Sequence, residues 1–205
     1  MIRLHHLEES RSQRIVWLLE ELGVDYELVH YARDATTRRA PPELLAVHPL
    51  GKSPVLEDGD IVLPESGAIV DYLVTRYGDG SLAPAPDDPG YARYLEWLHF
   101  AEGSGMFPLL LDMFLEMAGE SAAGLKGAMA SEIDRYLDYL ESELENRDYL
   151  GGDDFTAADV LNGFVVEFAS TRASLADRPN LTAYLGRLHA RPAHARALEK
   201  GQRPA

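Results

Sequence analysis

The chain has 205 residues, 46% hydrophobic and 26% charged, enough to bury the core of one large domain or two small ones and unlike a disordered or fibrous chain. Lys and Arg total 19 against 34 Asp and Glu, a formal charge of −15 that repels a phosphate backbone and excludes nucleic acid as a general partner. Cysteine is absent, which removes disulfides, thiolate metal sites and cysteine nucleophiles, so thiol chemistry here needs a thiol supplied from outside.

Ile2 to Leu7 reads as a short strand. It runs through Glu8, Glu9 and Ser10 into a helix with Ile15, Leu18, Leu19 and Leu22 on one face and Gly23 as its stop. Tyr26 to Tyr31 is a second strand, and the helical crossover makes the pair parallel. A short helix near Pro41 and Pro42 ends before His48. Pro54 to Glu57 and Ile61 to Leu63 then flank Asp58-Gly59, a hairpin signal. A third helix opens around Glu65 and Ser66, carries Ile69, Val70, Leu73 and Tyr77, and stops at Gly78.

The segment that follows, Gly-Asp-Gly-Ser-Leu-Ala-Pro-Ala-Pro-Asp-Asp-Pro-Gly, propagates neither helix nor strand and marks a linker. Beyond it only helical periodicity remains: Tyr91 to about Ala118, about Ser121 to Asn146, Ala157 to about Ser170, and a last pair divided by Pro192. The expected domains are therefore 1–78, a linker 79–89, and an all-helical 90–205. The most apolar long stretch, Met106 to Ala118, is interrupted by Asp112 and Glu116, and the amino terminus carries no secretory signal. A cytoplasmic protein with no membrane partner is expected.

An α/β half of this element order followed by an all-helical half resembles the cytosolic glutathione transferases, and local motifs along most of the chain agree. Ser10-Arg11-Ser12-Gln13-Arg14 is similar to the loop of the serine-type, theta- and zeta-like members. The resemblance implies a thioredoxin-like domain that binds glutathione as co-substrate, with Ser10 as the catalytic donor to its sulfur and Ser12 as the alternative. A free thiol titrates near 8.5, and a hydroxyl donor at the positive end of a helix favours the nucleophilic thiolate. Ser10 also reads as a cap for the first helix, with Gln13 completing a capping box.

Gly51-Lys52-Ser53-Pro54-Val55-Leu56 resembles the family segment in which a cis proline follows a residue that binds glutathione through its backbone. That resemblance implies a cis Pro54, a glutathione contact at Ser53, and Lys52 reaching the glycine carboxylate. Ser53 stands where the family often has valine. Glu65-Ser66 resembles the pair that grips the γ-glutamyl end, Glu65 for the ammonium and Ser66 with a helix amino terminus for the carboxylate. Phe155-Thr156-Ala157-Ala158-Asp159 is similar to a capping box opening a helix of the helical domain, a signature of fold rather than chemistry.

The chemistry so implied is attack of an activated glutathione thiol on a small hydrophobic electrophile held between the domains, in a homodimeric detoxification enzyme. The rival readings are a binding or regulatory protein of the same fold without catalysis, and a glutathione-dependent isomerase, dehalogenase or peroxidase. No metal is expected: the seven histidines include no His-Glu-x-x-His, and His5 and His6 on a strand face opposite sides. Met106, Phe107, Leu110, Met113 and Phe114 are spaced for core packing, or for lining the electrophile pocket. Arg187, Arg191, Arg196 and Arg203 read as a solvated face.

Overall fold

The computed structural model describes residues 1–202; Arg203 of the basic tail lies outside them. By its contacts the chain divides into two compact units, one of Met1–Ser81 with the chain from Ala190 on, the other of Leu82–His189.

The first unit is built on a four-stranded sheet in the order β2-β1-β3-β4. β1 (Ile2–Leu7) is parallel to β2 (Tyr26–Tyr31) and antiparallel to β3 (Val55–Asp58), which pairs antiparallel with β4 (Ile61–Pro64). Crossover helix α1 (Ser12–Leu22) buries Ile15, Val16, Leu18 and Leu19 and ends at Gly23, whose φ of 64° only glycine adopts without strain. α2 (Glu43–Val47) is short, and α3 (Ser66–Tyr77) buries Ile69, Val70 and Leu73. The hairpin turn lies one residue later than its Asp-Gly signal suggests: Asp58 pairs with Ile61, leaving Gly59 and Asp60 as the loop.

α9 (Pro192–Gly201) continues the run of helices, while its contacts group it with the first unit, where it buries Ala193 and Ala197. Ion pairs hold it to α1. Arg191 forks onto both carboxylate oxygens of Glu21 at 2.7 and 2.9 Å, while Arg196 and Lys200 converge on Glu20, which also accepts the Tyr26 hydroxyl. Arg191 and Arg196 are thus structural partners, Arg191 partly buried and Arg196 still exposed as a solvated face requires. Burial pushes the Glu20 carboxyl up, yet the hydrogen bonds from Lys200, Arg196 and Tyr26 outweigh it and leave the group below its ordinary pKa.

The second unit is helical: α4 (Tyr91–Phe100), α5 (Met106–Ala118), α6 (Ala123–Glu143), α7 (Ala157–Ser170) and α8 (Pro179–His189). Trp97, Met106, Leu109, Ile133, Leu137, Leu161 and Tyr184 are in its core. The periodicity from Tyr91 to Ala118 suggests one helix, but residues Ala101–Gly105 form a π turn. Pro108, three residues further on, has no N–H for the helical ladder and its ring crowds the preceding turn, which the wider turn accommodates. The capping box of α7 is present, with Thr156 and Asp159 each serving the other's backbone. Among the described residues no helix is long and apolar enough to cross a membrane.

Candidate active site

β1 carries the chain into the site, and Arg33, just past β2, holds the loop that follows. Its Nε donates to the Glu8 carbonyl and its Nη2 to the Glu9 carbonyl, each at 3.0 Å, while its amide donates to the Glu8 carboxylate at 2.8 Å. Glu9 is kept at φ 49°, a conformation costly for a residue with a Cβ. Ser10 comes next, half-buried.

The Ser10 Oγ accepts the Ser12 amide at 3.2 Å and lies 2.7 Å from the Ser12 Oγ. Ser12 is fully buried, with its hydroxyl 2.8 Å from His6 Nδ1 and 3.3 Å from the Leu7 carbonyl. The other ring nitrogen of His6 meets the Gly201 carbonyl at 3.0 Å. Burial pushes the His6 pKa down to about 4, against the opposing effect of that carbonyl, so the ring is neutral at pH 7. The capping box expected between Ser10 and Gln13 does not form, because the Gln13 amide donates to the Ala197 carbonyl of α9 at 2.7 Å.

The Ser53–Pro54 peptide is cis. The Ser53 hydroxyl donates to the His5 carbonyl at 2.8 Å and accepts the Leu7 amide at 3.1 Å, so a side chain continues the β1–β3 ladder one step past His5 and Val55. Lys52 is exposed immediately before Ser53.

Glu65 is exposed, with φ 72° at the start of α3, and Ser66 beside it is buried. Arg14, itself 1% exposed in the first turn of α1, donates from Nη2 to the Ser66 Oγ at 3.3 Å. A guanidinium has only donors, so this bond uses a lone pair of Ser66 and leaves its hydrogen for an acceptor. Ser10, Ser53 and Ser66 are thereby collected at one end of the sheet, where β1 finishes and α1 and α3 begin. Two helix amino termini and a buried guanidinium make that end a place for negative charge.

Comparison with known proteins identifies the family. Residues 1–75 match the family model of the glutathione S-transferase N-terminal domain, and 108–192 match that of the C-terminal domain. The chain belongs to the glutathione S-transferase family. It is 37% identical to glutathione S-transferase 3 of Schizosaccharomyces pombe, over 98% of this chain and 88% of that protein. A glutathione S-transferase crystal structure from Actinobacillus pleuropneumoniae superposes with a TM-score of 0.90 at 39% identity, covering 98% of this chain and 93% of the other. A sphingomonad glutathione S-transferase complexed with glutathione gives 0.81 at 29% identity, covering 97% and 98%.

For a glutathione transferase, the sequence left out three residues that organise this end of the sheet. In the sequence His6 is only a poorly spaced metal ligand, Arg14 stands in a motif with no role of its own, and Arg33 carries no signal. Each acts through a partner distant in sequence, respectively Gly201, Ser66 and the Glu8–Glu9 carbonyls. Local spacing carries no signal for such bonds.

Proposed function

We propose that this glutathione transferase binds glutathione at the β1, α1 and α3 junction and activates its thiol through the Ser10 hydroxyl for attack on a small hydrophobic electrophile. The observation that carries this is the half-buried Ser10 hydroxyl, facing the start of α1 while Ser12 is enclosed by His6 and Leu7. A donor there stabilises sulfur as its charge develops, the pattern of an oxyanion-type site. Ser66, with its free hydrogen and Arg14 behind it, suits the γ-glutamyl carboxylate, and Glu65 the ammonium. The Ser53-Pro54 backbone would pair with the cysteinyl part, and Lys52 with the glycine carboxylate. The sphingomonad relative's bound glutathione supports the same ligand here.

For the electrophile, α5 offers an apolar stripe. Phe107 and Phe114 are 60% and 59% exposed, and Leu110 and Met113 are partly exposed, so of the five residues spaced for a core only Met106 is buried. Apolar side chains kept in water in this way suit an apolar second substrate. The family resemblance supports a cytoplasmic homodimer acting in detoxification, and sedimentation tests the assembly.

The deciding experiment titrates the ultraviolet band of bound glutathione thiolate in the wild-type protein and in Ser10→Ala, beside turnover of aryl halide, epoxide, maleyl ester and hydroperoxide substrates. The expected result is a wild-type thiol that ionises well below 8.5 and returns near that value in the variant. Equal titration of the two proteins removes Ser10 from the role. Turnover confined to one substrate class would distinguish conjugation from isomerase, dehalogenase or peroxidase chemistry.

A further inference from the structure

Behind Ser10 lies a chain of hydrogen bonds whose direction is set from the far end. Gly201 presents a carbonyl to His6 Nε2 at 3.0 Å, and a carbonyl only accepts. The proton on the His6 ring therefore sits on Nε2, which leaves Nδ1 as a lone pair. Ser12 then faces two acceptors, His6 Nδ1 at 2.8 Å and the Leu7 carbonyl at 3.3 Å, and has one hydrogen to give. With that hydrogen committed, the Ser12 oxygen can only accept from Ser10, 2.7 Å away.

From this geometry we infer that His6, fixed by the carboxyl end of α9, is a positioning residue that makes Ser12 compete with the substrate sulfur for the Ser10 hydroxyl hydrogen. Without ligand, Ser10 points its hydrogen at Ser12 and offers a lone pair to an incoming thiol. To stabilise the thiolate, that hydrogen must leave Ser12 and turn to sulfur, while the Ser12 amide continues to donate to Ser10 Oγ at 3.2 Å. No proton is transferred along the chain; one hydroxyl changes its acceptor. The groups around His6 keep its polarity constant over the working range. Burial and His30, edge-on at 5.4 Å on β2, disfavour a charged ring, opposed by Glu8 and the Gly201 carbonyl.

The inference rests on the reading of Ser10 as the sulfur's donor, and it predicts a sign that a merely structural role for Ser12 would not produce. Ser12→Ala removes the competing acceptor without touching the ligand, so the bound thiol should ionise more readily, with its ionisation constant raised about tenfold, the worth of one neutral hydrogen bond. His6→Phe removes the nearer acceptor and lets the Ser12 hydrogen turn toward Ser10, so it should raise the constant as well, by less. A structural role predicts the opposite, a loosened loop and a weaker acid. The measurement is the pH titration of the thiolate band with saturating glutathione, beside calorimetric affinity and thermal unfolding for each variant. An unchanged or smaller ionisation constant in folded, glutathione-binding Ser12→Ala and His6→Phe overturns the inference. An absent or normal thiolate titration in the wild type instead overturns the underlying reading of Ser10.

Discussion

Arg14 and Ser66 lie 52 positions apart in the chain, yet the Arg14 Nη2 donates to the Ser66 Oγ at 3.3 Å, tying the first turn of α1 to the first turn of α3. The bond joins the helix start that follows Ser10 to the one that follows Glu65, so the two ends of the proposed glutathione site share one buried cation.

If Arg14 acts by orienting Ser66, removing either partner should weaken glutathione binding, and removing both should cost little more than removing one. We expect Arg14→Met and Ser66→Ala each to lose about 1.5–3 kcal/mol of binding, the range for hydrogen bonds to charged groups. Calorimetry over the double-mutant cycle checks this. Strictly additive losses would show that the two residues act separately.

Glu65 combines a proposed charge contact with a backbone conformation at φ 72° that disfavours a side chain. Glu65→Gly should relieve strain and stabilise the fold by about 0.5–1 kcal/mol, part of the gain being offset by the extra freedom of glycine in the unfolded chain. The same change should weaken glutathione at least tenfold, while Glu65→Gln weakens it without changing stability. A Glu65→Gly protein with wild-type affinity would contradict the role given to the carboxylate.

Stability should fall in acid in two stages. His6 is held near 4 in the fold against 6.5 when unfolded, so between those values the unfolded chain binds the extra proton and stability drops as pH falls, by about 3 kcal/mol in all. Glu20 is lowered in the fold, so its contribution is present above its unfolded value of 4.5 and disappears as pH falls through its folded one. Urea unfolding from pH 7 to pH 3 should show both stages, and His6→Phe should shrink the first, to which His5, also lowered by burial, contributes, while keeping the second. A single acid transition unaffected by that substitution would refute the assignment.

Asp159 is fully buried and accepts the Leu150 amide at 3.0 Å, the Thr156 amide at 2.9 Å and the Tyr184 hydroxyl at 3.0 Å. Asp159→Ala strands all of these donors in the interior and should cost about 3–5 kcal/mol, as for a buried network that loses its centre. Asp159→Asn keeps one acceptor oxygen and should cost less. Denaturant midpoints decide, and a loss under 1 kcal/mol for the alanine variant would rule out the network as a main support of the second unit.

What could be read from the sequence was what neighbours in the chain determine. β1 and β2, the stop at Gly23, the start of α3 at Ser66 and the Thr156–Asp159 box all depend on residues within a few positions of one another, and all are found. The Ser10–Gln13 box failed because a carbonyl 184 residues away, Ala197, captured the Gln13 amide. The π turn between α4 and α5 leaves no mark on the spacing because the backbone stays helical from Tyr91 to Ala118, and only the wider turn at Ala101–Gly105 departs from the single α-helix expected. For the candidate site the same division holds. Ser10, Ser53 and Ser66 were visible by resemblance, whereas what organises them, His6 with Gly201 and Arg14 with Ser66, exists only once the chain has closed on itself.

That closure has a temporal side. Because α9 supplies the partners of Glu20 and Glu21 and the carbonyl that orients His6, the first unit is completed only by a segment that follows the whole second unit along the chain. A nascent chain can form the sheet and α1 early, but the two glutamates on α1 must wait in water, and His6 without its fixed tautomer, until α9 has emerged. A chain cut before α9 would therefore hold the serines while lacking the element that sets the direction of the hydrogen bonds behind them.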